Sequence, residues 1–109
     1  MRLKEATARI ERAMDEYTEA LFQETRLRLR KLQMNFFPKS VVEFKDLGYR
    51  DPCVETMIDG ENARDVWCKS TTDDEKPGFR AAVELEDWHE DQATEWNIRI
   101  EDIRLEARQ

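Results

Sequence analysis

Residues 3–37 read LKEATARIERAMDEYTEALFQETRLRLRKLQMNFF, and Pro38 follows. From Leu3 to Met34 there is neither Gly nor Pro, and Ala, Glu, Arg, Leu and Lys predominate, the residues that lose least freedom in a helix. Apolar residues return at a period near 3.6: Leu3, Ile10, Met14, Tyr17, Leu21, Leu29, Leu32 and Phe36, with Thr25 filling the gap. That spacing makes one face and predicts a single long helix over 1–37. Pro38 ends it, because a proline disfavours helical geometry in the residue before it. Some 32 residues at 1.5 Å each span about 48 Å. A compact chain of this length has a radius of gyration near 13 Å, so such a helix overhangs its own domain unless it bends or pairs with something.

Beside the apolar face lies a short heptad of large and small residues, Leu3, Ala6, Ile10, Ala13, Tyr17 and Ala20, which stops where Glu24 and Lys31 take the next large positions. Alternating large and small side chains let two helices approach closely. The expectation is a homodimer joined through these six residues.

After Pro38 the texture becomes short apolar or alternating runs between turn signals, which reads as strands. Val41–Phe44 is the first, closed by Gly48, and Cys53–Ile58 the second. Asp59-Gly60 is a two-residue hairpin signal leading into Ala63–Lys69. Residues 70–78 contain Asp73, Asp74, Glu75 and Pro77 and read as an acidic loop. In Arg80–Trp88, Ala81, Val83 and Leu85 alternate with Glu84 and Glu86. In Glu95–Leu105, Trp96, Ile98 and Ile100 alternate, with a bulge at Glu101-Asp102 before Ile103 and Leu105. The predicted fold is α+β: one long N-terminal helix packed on an antiparallel sheet of about five strands spanning 40–109, all in a single domain 1–109.

The 109 residues carry 18 Lys plus Arg against 25 Asp plus Glu, a net charge of -7. Charged residues make up 39%, well above the usual quarter or so, so the surface is densely charged. Residues 1–39 hold nine basic and six acidic side chains, whereas 40–109 hold nine and nineteen. No apolar run approaches the roughly 18 residues of a membrane span, and no apolar segment follows the charged N-terminus as in a secretion signal. The expected setting is the cytoplasm, with Cys53 and Cys68 as reduced structural thiols.

Little here points to catalysis. Three scattered glycines make no phosphate-cradling loop, Cys53 and Cys68 form no CxxC pair, and no cofactor or metal is expected. His89, the one histidine, sits in Asp87-Trp88-His89-Glu90-Asp91. Flanking carboxylates suit a base or a metal site, but neighbours in sequence do not converge on one point, and the stretch reads as a solvated acidic turn. The expected class is therefore a non-enzymatic, acidic protein–protein interaction module that binds a basic protein surface, as inhibitors and immunity-type proteins do. Its predicted contact residues are Glu84, Glu86, Trp88, Glu90 and Asp91, with Trp88 as the aromatic anchor that interfaces favour. The alternative is a nucleic-acid-associated protein using Arg26, Arg28, Arg30 and Lys31 at the basic end of the helix. The net negative charge opposes it at long range.

Overall fold

A computed structural model describes residues 3–46, 54–70 and 72–107. The elements are α1 (Leu3–Phe36), β1 (Val42–Asp46), β2 (Val54–Ile58), β3 (Glu61–Asn62), α2 (Ala63–Ser70) and α3 (Lys76–Ala107). The class is α+β with a long N-terminal helix, as the sequence predicts, but the antiparallel sheet has three strands in the order β1-β2-β3, not about five. Gly48 and Cys53, expected to bound the first two strands, lie outside the described residues.

Two helices stand where the remaining strands are predicted. The Asp59-Gly60 turn forms as expected: Asp59 and Gly60 have φ of 52° and 81°, and Ile58 pairs with Glu61 across it. That is the left-handed pair of a two-residue hairpin. The returning strand lasts only two residues because Asn62 caps a helix, its side-chain oxygen accepting the backbone N–H of Arg64 at 2.9 Å and of Asp65 at 3.2 Å. Satisfying those otherwise orphaned donors starts α2, which turns Ala63 into the core, with Val66 and Trp67 packed against it. Residues 72–75 form the only described loop in the acidic stretch. Lys76, Pro77 and Gly78 already belong to α3, Pro77 sitting in the first turn where a missing N–H costs nothing.

α3 replaces both of the last two predicted strands and the bulge between them. Phe79, Ala82, Glu86, His89, Ala93, Trp96, Ile100 and Ile103 follow one another at spacings of 3 and 4, and all are buried or half-buried. That is a helical seam. It pairs antiparallel with α1 along its whole length. Arg9 meets Glu106 at 3.0 Å near one end, Tyr17 and Trp96 have ring centroids 5.9 Å apart, and Thr25 lies 3.1 Å from His89. Phe37 meets Phe79 edge-on at 5.3 Å at the other end.

The overhang of α1 is thus met inside the chain. The result is a rod of 58 × 22 × 19 Å with a radius of gyration of 17.5 Å. Its main core lies at one end, where β1 leans on α1 and β2 on α3; Leu32, Val42, Ile58, Ala63, Phe79, Ala82 and Leu85 are buried there. Among the described residues the other half is a helix pair alone. No described helix is long and apolar enough to cross a membrane.

The hairpin turn also holds the start of β1. The Asp59 N–H donates to the Val41 carbonyl at 2.8 Å, and the Asp59 carboxylate accepts the Val41 N–H at 2.8 Å. The Val41 N–H, followed by Ser40, holds the carboxyl below its ordinary range. A lowered folded pKa stabilises the fold above the unfolded value of about 3.9 and loses that contribution as pH falls through the folded one. Asp59→Asn, which keeps an acceptor and tolerates φ near 52°, should therefore lose less stability between pH 5 and 2 than the parent does. Asp59→Ala, which also gives up the left-handed preference, should melt lower than Asp59→Asn at pH 7. Parallel thermal melts across that pH range check both.

Candidate functional site

The five residues predicted for partner binding do not form one patch on a helix. Successive residues turn by about 100°, so Glu84, Trp88 and Asp91 share a face while Glu90 lies a quarter-turn from Asp91. Glu84, Glu90 and Asp91 are exposed and Trp88 is half-buried. The Arg28 guanidinium covers the Trp88 ring at 4.2 Å from its centroid, so the tryptophan is partly engaged within the chain.

Glu86 is not a surface residue. Only 6% exposed, it accepts the backbone N–H of Thr56 on β2 and the Arg64 Nε of α2 at 2.8 Å. Arg64 also reaches Asp87 at 3.0 Å, and these carboxylates, Glu86 first, raise its pKa above the ordinary arginine value. Thr56, fully buried, donates its hydroxyl to the Ala82 carbonyl at 3.3 Å. Glu86 therefore ties α3 to the sheet and to α2, a structural role that an exposed strand position does not suggest.

The remaining predicted residues are placed as follows. Of the six dimerisation candidates, Ala6 is buried, Ile10, Ala13 and Tyr17 are half-buried on the side of α3, and Ala20 is exposed; the side chain of Leu3 lies outside the described residues. Arg26, Arg28, Arg30 and Lys31 are all exposed but spread around α1. Arg26 sits over Phe22 at 5.4 Å, and Arg28 pairs with Glu24 at 3.2 Å besides covering Trp88. His89 is not in a solvated turn: it is buried between α1 and α3, with Phe44 of β1 at 5.8 Å. Cys68 is in no disulfide and is exposed, and Cys53 lies outside the described residues. Among the described residues no group of three or more His, Cys, Asp or Glu is arranged to hold a metal.

One concave feature was not anticipated. At the sheet end, α1, the hairpin, α2 and the start of α3 surround a cavity of about 340 Å³. Phe36, Phe37, Phe79, Ile58 and Val66 supply its apolar walls, and Asp59, Glu61, Asp74 and Glu75 supply carboxylates. Gly78 makes this packing possible, because a Cβ there would lie 2.9 Å from the Phe37 ring and 3.1 Å from the Phe36 Cβ. A shallower cavity of about 260 Å³ lies between α1 and α3, with Arg28, Lys31, Glu84 and Trp88 around it; Phe36 lines both. The separate sequence signals were present, in the Phe36-Phe37-Pro38 stop, the Asp59-Gly60-Glu61 turn and the Asp73-Asp74-Glu75 run. Nothing in the sequence says that they meet.

Compared with family models, curated proteins and solved structures, the chain matches none.

Proposed function

We propose that this protein is a non-enzymatic interaction module that binds a basic protein surface through the acidic side of α3 and the adjoining sheet end. The observation that carries the reading is the pair of exposed carboxylates Glu84 and Asp91 on one face of α3 with half-buried Trp88 between them, and Asp74 and Glu75 exposed in the loop that precedes the helix. Carboxylates gathered on one rigid helix steer a positively charged partner and fix its register. An aromatic side chain within such a patch supplies the apolar contact that turns attraction into affinity. Glu86 has no part in it, because its carboxylate is already used within the fold.

Glu84 and Asp91 are both exposed, so the double replacement E84K/D91K should keep the helical circular-dichroism spectrum and the melting temperature. In a pull-down from nuclease-treated lysate, the parent should retain a basic protein and the double variant should retain about tenfold less, as the loss of two charge contacts predicts. Unchanged retention overturns the reading. In a parallel pull-down without nuclease, recovery of nucleic acid, lost on replacing Arg30 and Lys31 and falling steeply with salt, would shift the assignment to the basic end of α1.

A further inference from the structure

We infer that the cavity at the sheet end receives an arginine side chain from a basic peptide segment of the partner, a step that rests on the reading above and adds its anchoring point. At about 340 Å³ the cavity lies at the low end of the roughly 300–1,000 Å³ of small-ligand clefts. It therefore suits a single long side chain and not a folded surface. Phe36, Phe37 and Phe79 offer apolar and aromatic walls to a hydrocarbon stem, while Glu61, Asp74 and Glu75 are exposed at its edge. The fourth carboxylate, Asp59, is occupied by the Val41 N–H.

No lysine or arginine is among the described residues lining this cavity, in contrast to the neighbouring one, which has Arg28 and Lys31. The negative edge is thus left for a cation from outside. Arginine fits better than lysine because its guanidinium is planar, weakly hydrated, able to stack on aromatic rings and able to bind carboxylates in pairs. Phe36, shared with the cavity beside Glu84 and Trp88, makes the anchor continuous with the acidic side of α3.

The test uses the full chain and a fluorescein-labelled nonapeptide carrying three arginines spaced by glycine, titrated by fluorescence anisotropy at about 0.15 M salt, beside the same peptide with lysines. Two variants each remove two negative charges: E61Q/E75Q at the cavity and E84Q/D91N on α3. The expected result is about a tenfold loss of arginine-peptide affinity in the first and less than about threefold in the second, as position outweighs net charge. The lysine peptide should bind the parent several-fold more weakly. Equal losses in both variants, equal binding of the two peptides, or no binding by the parent would each overturn the anchor. Loss confined to E84Q/D91N would overturn the anchor alone, leaving the acidic surface as the binding site; E84K/D91K retention in the pull-down reports on that surface independently.

Discussion

Replacing Glu86 by alanine is expected to lower the unfolding free energy by about 3 kcal/mol, one of the two largest effects anticipated here. Two partners lose their acceptor at once. Arg64 is half exposed and keeps Asp87, so water compensates most of its loss. The Thr56 N–H has no such recourse, because Thr56 is fully buried and an unsatisfied buried donor costs its whole desolvation, roughly 1–3 kcal/mol. Glu86→Gln keeps one acceptor in place and should lose about half as much. Urea unfolding followed by circular dichroism separates the two variants, with the slope unchanged if only stability is altered. An alanine variant within about 0.5 kcal/mol of the parent, the usual scatter of surface substitutions, would mean that this carboxylate does not hold α3 to the sheet.

Phe79→Ala should be comparably severe, at about 3 kcal/mol. The ring is 6% exposed, sits in the main core and meets Phe37 edge-on. Its removal forfeits apolar burial and an aromatic pair and leaves a void. The neighbouring cavity lets the site relax, which keeps the figure at the lower end of the range of about 3–5 kcal/mol for such truncations. In a domain of this size each kcal/mol moves the melting temperature by about 4–8 °C, so a thermal melt should shift by more than about 10 °C. Phe36→Ala, removing a ring that is 44% exposed, should move it far less. Equal shifts would contradict the placement of the two rings.

α1 was legible because its apolar stripe is narrow and uninterrupted by Gly or Pro, and the hairpin because Asp59-Gly60 suits left-handed backbone as few other pairs do. α3 was not, for two physical reasons. Glu86 and His89 occupy seam positions where apolar residues are expected, each satisfied by a partner distant in sequence. In addition, the first half of α3 is covered on two sides, by α1 and by β2, so Ala82, Val83, Leu85 and Glu86 are all buried and the contrast that marks a 3.6-residue period disappears. What survives is an apparent alternation of Ala81, Val83 and Leu85 with acids, which imitates a strand. The better signals were Pro77-Gly78 followed by a stretch from Phe79 to Gln109 without Gly or Pro, and Asn62 with Asp65 three residues on, which resembles a helix start. The site suffered with the fold. Glu84 and Glu86 share a face on a strand but are 200° apart on a helix, and a cavity assembled from four segments leaves no local signature.

In the half of the rod that lacks the sheet, Ala6, Ile10, Ala13 and Tyr17 on α1 and Ala93, Trp96, Ile100 and Ile103 on α3 repeat the same steps of three and four residues. A repeat of that kind can be extended without being redesigned. Seven residues added to each helix would lengthen the rod by about 10 Å while leaving every contact around the sheet unchanged. The distance between the cavity end and the far tip can therefore be altered without touching any residue that lines the cavity.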